Sequence, residues 1–552
     1  MLKKIKGFDI IFTIFFVILA LIPVLSLFHP GLPQTHDGPD HIARIMAFYQ
    51  NLSDGVFIPR WGAILNWGYG HPILQFLYPF PSYIASLFHF FGFSFMDSTR
   101  IVYMLGPILS FLFMYLWLKQ FLSRYASLLG AVLFTYAPYR FIDLYVRGDI
   151  GENLAFAFIP LSLYFIYKLS VKKDFVNLSL GSVAIALLIL THNAIALISV
   201  GVIFLYGIFL WWKLNFDKNF IIKFLFQFGL GFTLSMFFWL PGLMEGKYTL
   251  RNIVTQGAYK AHFVTLGQLI YGPWSFGGSG VFSVQIGIVQ ILAILASPIV
   301  FYKLYLKKNK IFSLVLILLI FTILSIFIML PASNFIWSRA MMLQNFQFPW
   351  RFLGLIVFTS AVLGAILSEY FYKKYKTLLT LTLIALAVVL SIGYTIPKGY
   401  YYALDKFENG MYKSTTDTGE SAPIWSVRFM EHFPKSPIEV IEGKGSVRET
   451  VYKTTYRKYE FKSDTSARIL VNILYFPNWT IYIDGKKQVT QFQDPNYRGL
   501  MTFIVTGRPH TIEAKYENTK LRTFSDTVSL VSFASILVLA VISLTKRKIH
   551  KL

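Results

Sequence analysis

Acidic, basic and histidine side chains lie together directly after the first apolar run of the sequence. The run IIFTIFFVILALIPVLSLF is soon followed by PQTHDGPDHIARIM, residues 33–46. In helical geometry Asp37 and His41 share one face, as do Asp40 and Arg44, because each pair is four residues apart. This cluster could exchange protons with a substrate at the end of a membrane span. It also has the composition of a helix N-cap, with proline in the first turn and an acid three residues after Asp37.

A second charged cluster follows within YRFIDLYVRGDIGENLAFAFIPL. Asp149 and Glu152 have the spacing of a capping box, but that interpretation leaves Arg147 without a role. Charges beside apolar helices are costly unless they line a wet cavity or meet a partner. Two acidic clusters that converge from different loops suit either a divalent cation or a base with an electrophile clamp.

Further polar residues could contribute to the same site. Thr191, His192 and Asn193 lie in a very tight turn, which is either a hydrogen-bonded hairpin or part of a site. Arg339 and Arg351 could bind a phosphate, for which the planar guanidinium is a good bidentate partner. Arg351 could instead be an anchor at the membrane interface. The apolar runs otherwise contain few charged groups, which disfavours a proton-coupled transporter.

The composition is that of a membrane protein. Of the 552 residues, 55% are hydrophobic and 14% are charged, and the mean hydropathy is +0.56. Apolar runs of roughly 18 residues or more recur and predict transmembrane helices. Because the chain has no cysteine, disulfides, thiolate zinc sites and cysteine nucleophiles are excluded. The net charge of +24 is mainly a signal of membrane topology, so we expect no nucleic-acid partner.

The charge of the loops predicts how the helices are oriented. Lysine and arginine are concentrated in alternate loops, which the positive-inside rule places in the cytoplasm together with both termini. The N-terminal run is interpreted as an uncleaved first span. The stretch 73–91, interrupted by Pro79 and Pro81, is predicted to be interfacial or re-entrant. About twelve transmembrane helices are predicted, at 8–28, 101–118, 125–138, 153–169, 177–191, 194–212, 222–241, 284–303, 311–330, 351–368, 377–395 and 526–544.

Polarity rises after residue 395, and the pattern changes to alternation. ARILVNILYF, WTIYIDGKK, MTFIVTG and HTIEAKY alternate around DG and TG turns, which predicts a small β-sandwich. The predicted fold class is a mainly α, polytopic membrane protein with a β-rich extracytoplasmic domain. The predicted domains are a membrane domain 1–395 with a large outer loop 29–100, a β-rich domain 396–525, and a last helix with a basic cytoplasmic tail, 526–552.

Several motifs, taken in order, resemble known membrane families. HDGPDHIARI, IPRWGAILNWGYGHPILQFLYPFPSYIASLF, YVRGDIGENLAFAFIPL, THN and QFPWRFLG together resemble the bacterial 6-pyruvoyl-tetrahydropterin-synthase-related membrane family. Nothing in the chain is similar to a soluble pterin enzyme or its zinc site. YFPNWTIYIDGKK is similar to a motif of YfhO-like membrane proteins, which commonly have glycine at the position of Asn478. The layout as a whole resembles the GT-C superfamily of membrane glycosyltransferases.

The resemblance to GT-C enzymes implies an inverting glycosyltransferase of the cell envelope. It would transfer a hexosyl or pentosyl unit from polyprenyl phosphate in the bilayer to a glycan, lipid or protein on the outer face. It implies Asp37 as the base. From the four-residue spacing we predict that His41 holds Asp37 ionised by a hydrogen bond. Members differ in metal dependence, so a Mg²⁺ or Mn²⁺ cofactor and a metal-free site both stay open. The resemblance further implies metal or sugar contacts for Asp40, Asp149 and Glu152, and phosphate contacts for Arg147 and Arg351. Apart from the resemblance, we predict substrate contacts for Arg60, His192, Asn193 and Arg339.

Two other classes of protein are alternatives. A flippase or other transporter of lipid-linked glycans would need two access states and a central polar path, which the sequence does not show. A non-catalytic membrane assembly protein could use its β-rich domain to bind a cell-surface polymer. Turnover of a polyprenyl-phosphate sugar would distinguish the enzyme from both, because both would bind the lipid without turnover.

Overall fold

Long helices make up most of the computed structural model, which describes residues 7–371 and 374–549. Among these residues nine helices are long and apolar enough to cross a membrane. A tenth span results if a bent helix pair, whose halves meet at 66°, counts as one. The chain is therefore a polytopic helical membrane protein, as predicted. The nine helices are Ile10–Phe28, Phe95–Leu118, Ile150–Val171, Asn193–Lys213, Ile288–Leu306, Ile311–Met329, Pro349–Tyr370, Lys376–Thr395 and Lys520–Leu539, and the bent pair is Lys218–Leu234 with Met236–Tyr248.

All twelve predicted spans coincide with helices, but two of these helices are short. Phe175–Thr191 has 17 residues and Arg124–Thr135 has 12. A straight crossing needs about 20 residues. The count by length is therefore nine or ten rather than twelve. Residues 1–6 and 550–552, which carry part of the basic charge used to place the termini, lie outside the described residues. The orientation of the helices stays a prediction.

Short helices occupy the segments between the long ones. The stretch predicted to be interfacial or re-entrant breaks at Pro79 into helices of 4 and 11 residues, too short to cross a bilayer. Pro79 precedes the second of these helices, where a residue without an N–H is tolerated. The short helices are Gly38–Ser53, Ile73–Phe76, Phe80–Phe90, Pro138–Phe141, Ile142–Arg147, Arg251–Thr255, Ala258–His262, Leu266–Ile270, Asn334–Trp337 and Met341–Gln344.

Two antiparallel sheets near the C-terminal end form the predicted β-sandwich. Alternate residues of a strand are buried, as in Tyr456–Lys462, where Arg457, Tyr459 and Phe461 are the buried members. Both sheets contribute to one apolar core. The larger sheet has the strand order Ser446–Lys453, Tyr456–Lys462, His510–Tyr516, Trp479–Ile483 and Lys486–Lys487, and the smaller sheet has the order Ile438–Glu442, Ala467–Leu474 and Leu500–Val505.

Buried ion pairs attach the last helix to the rest of the protein. Arg522, which is fully buried, donates to Glu245 at 2.7 and 2.9 Å. Asp526, one turn later, pairs with Arg60 of the first loop at 2.6 Å. Removing one partner from such a pair would leave an uncompensated buried charge, so both pairs fix the position of the helix. The first loop, the bent helix pair and the last helix are thereby held together.

Candidate active site

The second charged cluster is built at a break between two helical segments. The wide turn Ile142–Arg147 ends at Gly148, whose φ of 69° is left-handed and favours glycine. Helix Ile150–Val171 then begins with Asp149 as its N-cap, and the Asp149 carboxylate accepts the backbone N–H of Glu152 at 2.9 Å. Asp149 is therefore an N-cap, but the Glu152 side chain accepts from Tyr139 and Arg147 instead of completing a capping box. The break also brings side chains from both segments into contact.

Arg147 contacts three carboxylates at once. Its guanidinium donates to Asp143, and lies 2.9 Å from Asp149 and 3.0 Å from Glu152. The ring centroid of Trp350 lies 4.7 Å from its Cζ. The four charged side chains are at most 6% exposed, so these charge-assisted hydrogen bonds form in a low-dielectric environment. Arg147 is therefore paired within the protein.

Two tyrosines and a histidine extend this network. Tyr78 donates to Asp149 at 3.0 Å, and Tyr139 donates to Glu152 at 2.5 Å. Nε2 of His192 lies 3.5 Å from a carboxylate oxygen of Asp149. The predicted residues Asp149, Glu152 and His192 are thus in one buried network, although they come from two different segments of the chain.

The pKa values of Asp143 and Asp149, which lie on either side of Gly148, are shifted in opposite directions. Burial alone would raise the pKa of Asp149, but His192 and Arg147 hold it well below its usual range. Burial, and then the charge of Glu152, raise the pKa of Asp143 well above its usual range. Among the described residues, the second carboxylate oxygen of Asp143 has no hydrogen-bond partner. Asp149 is therefore the firmly ionised acid and Asp143 the readily protonated one.

Asp37 precedes helix Gly38–Ser53 but does not cap it. Its side chain accepts no hydrogen bond from the first turn, where Thr35 accepts an N–H at 3.2 Å instead. The backbone N–H of Asp37 donates to the carbonyl of Arg147 at 2.9 Å, which joins the first loop to the second cluster. Burial, and then the charge of Asp149, raise the pKa of Asp37 above its ordinary 3.8. Asp37 is therefore a half-buried carboxylate that can accept a proton.

The predicted hydrogen bond between His41 and Asp37 is not formed. Nδ1 of His41 lies 3.3 Å from Arg44, and its Nε2 accepts the backbone N–H of Ile150 at 3.4 Å. Burial, and then the charge of Arg44, lower the pKa of His41 to about 3. The ring is therefore neutral at pH 7 and serves as an acceptor for the start of the helix that follows the second cluster.

A groove of about 450 Å³ opens beside the network. Helices Phe175–Thr191 and Asn193–Lys213, with the bent pair, provide mainly apolar walls. His192 lines the groove and also contacts Asp149, so it connects the groove to the network. Such a groove suits a ligand with a hydrocarbon chain and a charged head. The polar lining residues all come from helix ends or loops, and they are Tyr78, His192, Asn193, Arg251, Thr255, Asn345, Arg351 and Glu420.

Arg351 is a partly satisfied cation on the groove wall. One guanidinium N–H donates to the carbonyl of Phe346 at 3.0 Å, and Nε lies 3.9 Å from Glu152. Nε is buried and has no hydrogen-bond partner among the described residues. The positive charge of Arg351 on the groove wall would nevertheless favour an anion bound in the groove.

Three other predicted site residues have partners outside the network and the groove. Arg60 forms a two-point ion pair with Asp526, at 2.6 and 3.2 Å. Arg339 is exposed and donates to a carbonyl one turn back at 3.1 Å. Asp40 accepts a hydrogen bond from Tyr412 at 2.8 Å. Among the residues predicted to bind substrate, His192, Asn193 and Arg351 are the ones that line the groove.

Sequence reasoning missed two charged residues at the site, Asp143 and Glu420, and gave Arg251 only a weak claim. Asp143 had a usable signal, because it lies four residues before Arg147 in a helical segment. Glu420 lines the groove and accepts from Gln347 at 2.8 Å. Arg251, which had only a weak claim, lines the groove as well. These two residues come from loops distant in sequence, so no local pattern could have placed them together.

The network contains side chains of the types that bind metal ions, but their carboxylate oxygens already accept hydrogen bonds from the protein. Ligand atoms of Asp149, Glu152 and His192 lie within 4.8 Å of one another. Each carboxylate oxygen of Asp149 and Glu152 accepts a hydrogen bond from the protein. The guanidinium of Arg147 already compensates part of the negative charge that would attract a divalent cation to these acids, and it would repel such an ion. A divalent cation therefore does not fit these residues as they are paired.

The chain has relatives among known membrane proteins. Residues 74–399 match the family model described as 6-pyruvoyl-tetrahydropterin synthase related domain, a membrane protein. An uncharacterized protein of Lactococcus lactis subsp. cremoris (strain MG1363) is 28% identical over 257 residues, which are 43% of this chain and 41% of that protein. The matched region therefore spans less than half the length of that relative.

Three solved membrane proteins are distantly similar over 70% of this chain. Arabinofuranosyltransferase AftD from mycobacteria is 18% identical, with a TM-score of 0.44 and 27% of its chain covered. Oligosaccharyltransferase AglB from Archaeoglobus fulgidus, in complex with an inhibitory peptide and a dolichol-phosphate, is 14% identical, with a TM-score of 0.40 and 56% covered. ArnT from Cupriavidus metallidurans, bound to undecaprenyl phosphate, is 12% identical, with a TM-score of 0.29 and 89% covered. At these TM-scores, function has to be argued from the site itself.

Proposed function

The chain belongs to the 6-pyruvoyl-tetrahydropterin synthase related family of membrane proteins, and from this premise we propose that it is a membrane glycosyltransferase. The donor is a sugar carried on polyprenyl phosphate, and the acceptor is a hydroxyl group on the extracytoplasmic side. This side follows from the loop charges of the sequence. The order of motifs that resembles GT-C enzymes supports the same reaction class.

One observation carries the proposal: the groove is apolar along its helices and polar where it meets the acidic network. A polyprenyl chain needs apolar walls at membrane depth, and its phosphate needs cations and hydrogen-bond donors at the interface. Arg351 and Asn193 supply such donors on the groove wall, and His192 is in contact with Asp149. A soluble sugar nucleotide would have no use for the apolar part of the groove.

Asp37 is the proposed base. It takes the proton of the acceptor hydroxyl while the acceptor oxygen forms a bond to the anomeric carbon of the donor sugar. The bond between that carbon and the phosphate oxygen breaks, and its electron pair leaves with the lipid phosphate. Attack opposite the leaving group inverts the anomeric centre. The raised pKa of Asp37 favours proton acceptance, because a carboxylate of ordinary pKa is a weaker base.

Arg351 stabilises the phosphate that departs. Its position on the groove wall allows its positive charge to stabilise the negative charge that grows on the leaving group. His192 orients the donor from its position between the groove and Asp149. The network around Arg147 keeps Asp149 ionised and fixed, so that the groove end is organised before the donor binds.

A direct assay tests the reaction. Full-length protein in nanodiscs is incubated with radiolabelled hexosyl and pentosyl polyprenyl phosphates and a panel of hydroxyl acceptors. We expect release of polyprenyl phosphate with formation of a labelled glycoside of inverted configuration. Donor binding without turnover, combined with movement of the labelled lipid across a liposome membrane, would contradict the proposal and favour a transporter. Binding of a polymer alone would favour an assembly protein.

A further inference from the structure

Arg147 lies between the three acids that a bound cation would have to neutralise. Its guanidinium donates to Asp143, Asp149 and Glu152. It is buried under the ring of Trp350, with its Cζ 4.7 Å from the ring centroid. A buried arginine with three acidic partners is a permanent part of the site, because its removal leaves uncompensated charges.

Of the three acids around Arg147, Asp149 and Glu152 have both carboxylate oxygens hydrogen-bonded, whereas one oxygen of Asp143 has no partner among the described residues. One oxygen of Asp149 accepts from Tyr78 and from a backbone N–H, and the other accepts from Arg147. One oxygen of Glu152 accepts from Tyr139, and the other accepts from Arg147. A divalent cation would have to displace the guanidinium from both acids while being repelled by its charge.

We propose that Arg147 takes the place of a divalent cation, so that the site functions without a metal ion. Arg147 is a positioning residue in this inference. It holds Asp149 beside His192 at the end of the groove, and it leaves Arg351 and Arg251, which line the groove, to bind the anionic head of the donor. Only this last point rests on the proposed function, because metal binding can be measured without any substrate.

Manganese binding tests the inference on the full-length protein. Mn²⁺ is titrated into the purified protein in detergent, and the free ion is quantified by electron paramagnetic resonance. We expect no stoichiometric binding by the wild type. The variant Arg147→Met loses the charge but keeps a side chain that can pack on Trp350, and we expect it to bind one Mn²⁺ per chain. Adding Glu152→Gln to this variant should abolish the new site.

Arg140→Met is the matched control. Arg140 is buried in the same part of the chain, but it donates to the carbonyl of Asn153 and to Ser110 rather than to a carboxylate. We expect this variant to bind no Mn²⁺. A metal site in Arg147→Met but not in Arg140→Met would show that the new site comes from the acids that lose their guanidinium partner. A general loosening of the protein would affect both variants.

Several results would overturn the inference. One is a wild-type protein that binds one Mn²⁺ per chain and loses it in Glu152→Gln. Another is a folded Arg147→Met variant that binds none, because a merely structural arginine leaves no cation position behind. If Arg147→Met does not fold, the wild-type titration and Arg147→Lys decide, and both should bind no Mn²⁺.

Turnover should survive exhaustive chelation. Turnover that needs added metal would refute the inference, whereas no turnover with any donor would refute the proposed function and leave the Mn²⁺ result standing.

Discussion

The two acidic loops have the same local sequence pattern but give their first acids opposite environments. Asp37 and Asp149 each precede a helix, and each is followed three residues later by a second acid. Asp149 caps its helix, pairs with Arg147 and has a pKa well below its usual range. Asp37 caps nothing, and its pKa is raised. A pattern that predicts a cap therefore describes one of the loops and misses the other.

The difference arises from what surrounds each carboxylate. Around Asp149 the wide turn before Gly148 supplies Arg147, and the distant His192 adds a further partner. At Asp37 the neighbouring Thr35 accepts the N–H of Gly38 in the first turn, and within the described parts of the chain the Asp37 carboxylate accepts no capping hydrogen bond. An acid that is fully hydrogen-bonded stabilises structure, whereas an ionised acid without donors is available for proton transfer.

The largest expected effect is that of Asp37→Asn on turnover. Asparagine has nearly the same shape but cannot accept the proton of the acceptor hydroxyl. We expect the rate to fall by about 10²–10⁴, the usual value of a positioned base. Turnover is measured together with donor binding and thermal unfolding. Because ionised Asp37 is costly to bury, its replacement should leave the melting temperature unchanged or higher.

Near-normal turnover in a folded Asp37→Asn variant would reject Asp37 as the base. Such a result would make the two acidic loops functionally alike, with Asp37 serving structure only. The search for the base would then move to Asp143, whose pKa is also raised and which has one unpaired carboxylate oxygen.

The second prediction is that Asp149→Asn acts mainly on stability. The change removes a buried partner of Arg147, which is expected to cost about 3–5 kcal/mol. Because the pKa of Asp149 is lowered on folding, its stabilising contribution is present above its ordinary 3.8 and is lost as the pH falls towards the folded value. Unfolding in mild detergent, followed by tryptophan fluorescence at several pH values, measures this. A variant as stable as the wild type at pH 7 would argue against the paired network.

The sequence predicts the class of fold well because the signals for it are local. Runs of apolar residues identify the helices, and alternation in ARILVNILYF identifies a strand of the sandwich. By length and composition the described residues give nine or ten spans rather than about twelve, because apolarity alone does not measure helix length. Arg124–Thr135 is apolar and buried, but its 12 residues fall short of a full crossing.

The site is less predictable because it depends on contacts between distant segments. The spacing of Arg147 and Asp149 correctly indicated a charged cluster. Arg60 is predicted to contact the substrate, whereas Asp526, more than 450 residues later, neutralises it. His41 gives a further example. Helical spacing places it on the face of Asp37, but burial and the charge of Arg44 lower its pKa and keep the ring neutral. Side-chain partners of this kind have no signature in a single sequence.

The third prediction separates two arginines that look alike in sequence. Arg351→Lys keeps the charge but loses the planar fork, so donor affinity should fall about tenfold or more, as for a charged hydrogen bond worth about 1.5–3 kcal/mol. Arg339→Lys is the control, because Arg339 is exposed and bonded to its own helical turn. Equal affinities in the two variants would make Arg351 an interfacial anchor. Binding of a labelled polyprenyl phosphate in nanodiscs provides the measurement.

The fourth prediction concerns the pH dependence of kcat/KM. The base must be ionised, so the rate falls about tenfold per pH unit below its pKa. Because the pKa of Asp37 is raised, the acid limb should lie above the ordinary carboxyl value of 3.8. His41, with a pKa of about 3, should not contribute to this limb near neutral pH, and His41→Gln should leave its midpoint unchanged. An acid limb at an ordinary carboxyl pKa would be evidence that a different, solvated acid is the base.

The smallest effect is expected for Asp40, the second acid of the first loop. Its replacement tests whether the two carboxylates of this motif have different roles. Asp40 lies in the first turn of helix Gly38–Ser53, and its carboxylate accepts the hydroxyl of Tyr412 at 2.8 Å. Asp40→Asn keeps an oxygen that can accept this hydrogen bond. Turnover should therefore stay within about threefold of the wild-type rate, a smaller change than the loss of one hydrogen bond would cause. Donor binding should not change, because Asp40 does not line the groove.

The comparison with Asp37→Asn is matched in chemistry and position, since both variants remove one negative charge from the same loop. A loss in Asp40→Asn as large as that in Asp37→Asn would mean that the two acids act as a pair, and that the hydrogen bond to Tyr412 is exchanged for a contact with the substrate during the reaction.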